Sequence, residues 1–347
     1  MPADDRIAGA DPPAGIGSPA PGRAPSDRRR GRLRSGFVAL IGRPNVGKST
    51  LLNALLGHKV VIVSPHPQTT RTHVLGVYNT PPGVRPHGQI VFADTPGLHR
   101  SATPLNREML RHARQALEGR DLALLVMDAT RSAGPEDAYA AQLLDAPGGA
   151  GAPARGAEPA PPPVILVVNK IDRVADKRAL LPLLNQYRQQ RDYAAVVPVS
   201  ARSGEQLDVL IQEILRLLPT GPAYFPPEQT TDQPETYFIA ELIREQALRL
   251  TRQELPHALT VAVEDFTRGP RPRIEAIVYC EREGQKAILI GRHGAMIREI
   301  GVAARAEIER HLPQLGRPLF LALRVEVHPH WRADPAFLRR LDWRGQG

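Results

Sequence analysis

Short apolar runs recur along the first two thirds of the chain, each ending in a cluster of turn-forming residues. "GFVALI", "HGQIVFAD", "DLALLVMD", "PPVILVVN" and "YAAVVPVSA" are all of strand length, with little polar alternation. Such runs predict strands buried on both faces. Segments of helical period lie between them, such as 104–118 and 206–218. Strands alternating with helices predict a mostly parallel sheet with helices on both sides. Past residue 232 the patterning changes. "TYFIAELIREQALRLTR" has the period of an amphipathic helix, and "HALTVAVEDF" and "RIEAIVYCERE" alternate like half-exposed antiparallel strands. "QKAILIGRHGAMIREIGVAARAEIERHL" reads as strand, glycine turn and helix, and "PLFLALRVEV" as a last alternating strand. These make a second, smaller α+β unit.

Three stretches lack any period. Residues 1–34 are rich in Pro, Gly, Ala and charge and read as a disordered arm. Residues 145–163, "DAPGGAGAPARGAEPAPPP", read as a flexible insertion, and the Pro-rich stretch 219–232 as a linker. The expected division is therefore an arm over 1–34, a first domain over 35–218, a linker, and a second domain over 233–347.

The first strand runs into "GRPNVGKST", which fits G-x-x-x-x-G-K-[ST] between a strand and a helix. Gly42 and Gly47 let the backbone curl so that the amides of Arg43, Pro44, Asn45, Val46 and their neighbours frame a phosphate site, Pro44 contributing shape but no N–H. Lys48 reaches the β- and γ-phosphates, Ser49 offers a Mg²⁺ ligand, and Thr50 continues the helix N-terminus. Further motifs fall at the ends of later strands, where a doubly wound sheet places its ligand. "DTPG" supplies Asp94 near the metal, Thr95 and Pro96, and the N–H of Gly97 for a γ-phosphate. "PQTTR" supplies a threonine to complete the Mg²⁺ shell, Thr70 ahead of Thr69. In "NKID", Asn169 and Lys170 precede Asp172, whose carboxylate accepts two hydrogen bonds from guanine. Adenine has no donors there, and a site built on such bonds rejects it by a factor on the order of 10⁴. "SAR" adds Ser200 and the N–H of Ala201, suited to guanine O6. The nucleotide expected is GTP, turned over to GDP with Mg²⁺. After "DTPG" stand Leu98 and His99, so a water-orienting glutamine is missing and intrinsic turnover should be slow.

Charge adds little. The net charge of +9 divides into +3 over residues 1–36, +4 over 37–230 and +2 over 231–347. It favours an anionic partner without choosing between nucleic acid and lipid. Cys280 is the single cysteine, so an internal disulfide is excluded. No apolar run approaches the ~18 residues that span a bilayer. The N-terminus has no secretory apolar core, and Asp4, Asp5, Asp11 and Asp27 argue against a transit peptide. The expectation is a cytoplasmic protein.

"GRPNVGKSTLLNAL", "VSPHPQTTR", "DTPGLH", "NKID" and "VSA", followed by "ELIREQALRLTRQELPHALTV" and "ILIGRHGAMIREIG", resemble the Era family of bacterial GTPases over roughly residues 35–345. Only one P-loop is present, unlike double-G-domain assembly GTPases, and the chain lacks the cysteine-bearing end of tRNA-modifying GTPases. The resemblance implies an α/β P-loop GTPase domain followed by an α+β type II KH domain. It implies a monomer that binds the 3′ end of 16S rRNA, assists 30S subunit maturation and attaches peripherally to the inner membrane. In related GTPases with "GRPN", the asparagine matching Asn45 helps hold K⁺ near the β–γ bridge; an ordinary loop asparagine is the other reading. Lys48, Asn45, Thr70 and Gly97 are thus the expected catalytic set. In the KH unit, Gly291, Arg292, His293 and Gly294 form the loop that clamps an RNA backbone. Ile290, Ile297 and Ile300 would floor the base groove, though they serve equally well as core. A second functional class, an RNA-binding scaffold that holds GTP but scarcely turns it over, is the alternative.

Overall fold

The computed structural model describes residues 33–342, apart from 65, 67, 68, 85, 98–103, 146–160 and 252–257. The first-domain elements are β1 (Arg34–Ile41), α1 (Lys48–Leu56), β2 (Val74–Asn79), β3 (Gly88–Asp94), α2 (Pro104–Glu118), β4 (Leu122–Asp128), α3 (Pro135–Gln142), β5 (Val164–Asn169), α4 (Leu180–Gln190), β6 (Ala195–Pro198) and α5 (Leu207–Leu217). Six strands form one sheet in the order β2-β3-β1-β4-β5-β6, parallel except that β2 runs antiparallel to β3. Strand alternation explains the unbroken apolar runs. Val38 and Leu40 pack against Leu51 and Leu52 of α1 and Ile214 of α5. Ala39 and Ile41 face the opposite way, towards Ala113 and Leu117 of α2 and Ala140 of α3. Both faces of the sheet are therefore covered, so apolar residues are favoured at nearly every position along its strands.

The second unit is built from α6 (Glu235–Leu250), β7 (Thr260–Thr267), β8 (Arg273–Cys280), α7 (Glu283–Ile290), α8 (Ala295–His311), β9 (Phe320–Val327) and α9 (Pro335–Leu341). β7 pairs antiparallel with β8, and β8 pairs parallel with β9. One face of this sheet packs on α6 and α8 through Ile243, Ala247, Ile300, Ala304 and Ile308. On the other, Trp331 and Phe337 close over Ile277 and Tyr279. "HPHWR" is part of this closure: Trp331 is fully buried and donates from Nε1 to the Ala258 carbonyl at 2.8 Å.

Two expectations need correction. The segment before "GRHG" is a helix, α7, not a strand. Its apolar run is too short for period to decide between the two. The Gln285 side chain accepts from the N–H groups of Glu281 (2.9 Å) and Arg282 (3.1 Å), capping a helix start. Only Leu289 of the run is buried, with Ile288 52% exposed. Of the two roles open to Ile300, groove floor fails and core holds, since it has no exposed surface, while Ile290 and Ile297 remain partly exposed.

Stretch 219–232 is no free tether. Gln89, buried in β3, accepts from Tyr224 N (2.6 Å) and Phe225 N (3.0 Å) and donates to Phe225 O (2.8 Å). Further on the segment runs along β2, with Val77 N donating to Thr230 O, Thr231 Oγ1 to Leu75 O, and Leu75 N to Asp232 Oδ1. Residues 32–347 form one compact unit. The arm 1–34 lies outside the described residues except for Leu33 and Arg34, as does most of the 145–163 insertion.

Candidate functional site

The loop between β1 and α1 folds as its glycines require. A Cβ on Gly42 would lie 2.5 Å from the Val126 carbonyl, and one on Gly47 2.5 Å from Asn169 Nδ2; Gly47 also takes φ +97°. Asn45 is left-handed at φ +62°, a conformation asparagine tolerates better than most residues. Lys48, 6% exposed, donates to the carbonyls of Gly42 (3.0 Å) and Arg43 (3.1 Å). Burial lowers its pKa to about 8, against the opposing charge of Asp94. The Arg43 side chain turns away from the loop, its Nε 3.2 Å from Asp137.

Three side-chain oxygens from three elements meet below this loop. Ser49 Oγ lies 2.7 Å from Asp94 Oδ2 and 2.9 Å from Thr70 Oγ1, which is itself 3.4 Å from Asp94 Oδ2. Asp94 is fully buried, and its Oδ1 has no hydrogen-bond partner among the described residues. Desolvation raises its pKa, with the Lys48 charge and the Ser49 and Thr70 hydroxyls working the other way. An orphaned carboxylate oxygen amid hard oxygen donors fits a Mg²⁺ ion. Thr69 donates to the His66 carbonyl at 2.7 Å, so of the two threonines it is Thr70 that meets Ser49 and Asp94. Thr95 is structural too: buried, it donates to the Leu40 carbonyl. It follows Asp94 and, with Pro96, leads the chain to Gly97. There a Cβ would lie 2.8 Å from Pro44 Cα, so the second loop presses directly on the first. A cavity of about 310 Å³ is walled by Lys48, Ser49, Thr50, Thr70, Gly97 and Lys170.

The "NKID" motif closes the far side. Asn169 donates from Nδ2 to the Val46 carbonyl (2.9 Å), and its Oδ1 accepts from Ala201 N (3.0 Å) and Lys170 N (2.8 Å). Asp172 Oδ1 accepts from Ser200 Oγ at 2.7 Å. The Ala201 N–H therefore already has a partner in Asn169, where the sequence suggested guanine O6. Sequence reasoning missed Asp128, at the end of β4. It takes a 2.7 Å bond from Lys170 Nζ, which also donates to the Asn45 carbonyl at 2.6 Å. Asp128 thus ties the base motif to the phosphate loop. Its position after "LALLVM" was the available signal. Leu98 and His99 lie outside the described residues.

In the second unit, Gly291 and Gly294 take φ +72° and +76°, and Arg292 and His293 between them are exposed. The four residues form an open loop at the start of α8. A Cβ on Gly291 would lie 2.8 Å from Met296, whereas one on Gly294 would enter open space.

A mostly parallel sheet with this loop, an oxygen cluster and an asparagine-aspartate base motif defines a P-loop GTPase domain, here followed by a KH domain. A family model described as a 50S ribosome-binding GTPase matches residues 37–170, and one for a KH domain matches residues 254–332. GTPase Era from Stenotrophomonas maltophilia K279a is 46% identical over 88% of this chain and 95% of its own. GTPase Era from Geobacter metallireducens is 41% identical over 90% and 98%. A crystal structure of an Aquifex aeolicus Era variant bound to GDP·AlF4⁻ superposes with a TM-score of 0.79 at 38% identity, covering 88% of this chain and 98% of that one. A crystal structure of Era with MgGDPNP and nucleotides 1506–1542 of 16S ribosomal RNA gives the same TM-score, identity and coverage. The chain belongs to the Era family of GTPases.

Proposed function

We propose that this chain is a Mg²⁺-dependent GTP switch that binds the 3′ end of 16S rRNA through its KH domain and assists 30S subunit maturation. The observation that carries the nucleotide half is the convergence of Ser49 and Thr70 on Asp94 Oδ2 beneath the Lys48 loop, the other Asp94 oxygen, Oδ1, having no hydrogen-bond partner among the described residues. Ser49 and Thr70 would hold the metal directly and Asp94 through their hydroxyls or a water. An ion held there would supply positive charge to offset that of the β- and γ-phosphates. Lys48, now resting on loop carbonyls, turns to the phosphates. The amides of the 42–50 loop and of Gly97 hold the γ-phosphate oxygens, and Asp172 reads guanine. Asn45, by its match to the asparagine of related loops, would help hold K⁺ near the β–γ bridge.

The RNA half rests on Gly291–Gly294, whose open backbone suits close approach of a sugar-phosphate chain. The domain limits follow the same division, with a G domain over 35–218, a connecting segment over 219–232 and a KH domain over 233–347. The protein would act as a cytoplasmic monomer, with any contact to the inner membrane peripheral. Among the described residues no helix is long and apolar enough to cross a membrane.

GTP hydrolysis measured with and without 30S subunits tests the proposal. Slow turnover that 30S subunits raise is the expected result. Binding of GTP and RNA without hydrolysis in either condition would favour the scaffold reading.

A further inference from the structure

Helix α6 belongs to the KH half, yet two adjacent side chains on it hold both ends of a G-domain strap, residues 59–71. Glu245, 3% exposed, accepts from Val63 N at 3.0 Å and from Lys59 Nζ at 2.5 Å. Arg244, 1% exposed, donates from Nη2 to the Thr69 carbonyl. Its Nε and Nη2 also grip Glu241, at 2.7 and 2.6 Å, which fixes the guanidinium. Between these holds Ile62 is buried within the KH core. Just beyond them Arg71 donates to the Leu259 carbonyl and lies 5.0 Å over the Trp331 ring.

The described part of the strap contains neither helix nor strand, so bonds to other elements must order its backbone. The Thr69 carbonyl shares a rigid peptide plane with the nitrogen of Thr70. Holding that carbonyl fixes the plane from which the Thr70 side chain projects towards Ser49 and Asp94. We propose that Arg244 and Glu245 are positioning residues for Thr70, making the KH domain part of the scaffold of the metal site. This rests on the reading of Thr70 as a Mg²⁺ ligand. It names the residues through which the RNA-bearing half reaches the hydrolytic half: displacement of α6 frees the peptide plane, and Thr70 with it.

The test uses the full chain. Arg244→Met with Glu241→Gln removes the grip and both charges of the pair together, so the buried Arg71 beside them loses one repelling and one attracting neighbour at once. Mn²⁺ binding to the complex with GDPNP, read by electron paramagnetic resonance, should weaken about tenfold, and the Mg²⁺ needed for half-maximal hydrolysis should rise in step. GDP affinity without divalent cation and RNA affinity should each stay within about twofold. Glu245→Gln, which keeps an acceptor for Val63 N but loses the charge that holds Lys59, should shift Mn²⁺ binding the same way by less, and it decides the matter if the double variant does not fold. Thr70→Ala provides the reference. If Thr70→Ala leaves Mn²⁺ binding unchanged, the assignment of Thr70 fails. If Thr70→Ala weakens it and neither α6 variant does, the positioning proposal is overturned.

Discussion

The roles proposed for Asp172 and Asn45 can each be tested by one substitution. Asp172 is held by Ser200 at 2.7 Å, so its acceptor face has a fixed direction. Asp172→Asn replaces an acceptor by a donor, which suits xanthine, whose edge bears a carbonyl where guanine bears an amine. Preference should pass from GTP to XTP by at least about tenfold, measured by competition binding; continued preference for GTP would refute the base assignment. Hydrolysis by the wild-type protein should be faster in K⁺ than in Na⁺, with Asn45→Ala abolishing the difference. Equal rates in the two salts would remove Asn45 from the catalytic set. The positions of both residues were legible because their motifs are contiguous, each nine residues or fewer, and bound to a strand end. Asp128 and Arg244 were not. Each works through partners far away in sequence, and a lone charge in an apolar run or on a helix has no spacing to give it away.

At the level of strands, helices and loops, the G-domain sheet was readable because burial on both faces forces uninterrupted apolar runs. β2 was not singled out: as an edge strand its pattern is short and broken by Gly76. The start of the KH glycine loop was misjudged because "AILI" suits strand and helix alike, and the cap that decides it is polar. The loop itself stands where expected. Gly294→Asp meets no neighbouring atom but takes a side chain at φ +76°, and it adds an anion where a phosphate must approach, so RNA affinity should fall at least about tenfold, or ~1.4 kcal/mol, with a modest fall in melting temperature from the left-handed backbone. Unchanged RNA affinity would place the RNA path elsewhere. Gln89 gives the opposite case, a buried side chain serving only structure. Gln89→Ala leaves the N–H groups of Tyr224 and Phe225 without their acceptor, and should lower stability by about 2–3 kcal/mol in urea denaturation, GTP affinity aside. An unaltered midpoint would mean that the connecting segment is held by something other than this side chain.

For the protein entire, the Pro-rich break at 219–232 predicted two separable halves, whereas the structure joins them through Lys59, Ile62, Thr69 and Arg71 on one side and α6 and Trp331 on the other. Composition could not reveal this, because a proline-rich segment reads alike whether it floats or is pinned. Coupling through the strap is reciprocal. Adding Mg²⁺ and GDPNP should therefore slow amide hydrogen exchange in α6 as well as in the strap, and exchange in α6 indifferent to nucleotide would argue that the halves ignore each other. The pinned segment has a further effect, on the sheet. β2 is an edge strand, and residues 230–232 occupy its outer row of N–H and C=O groups. A fragment ended at residue 218 would leave that row bare, a template on which a second chain could stack and aggregate. One carried on through Gln233 would bring its own cover, so the boundary that looks natural by domain content is the wrong place to cut.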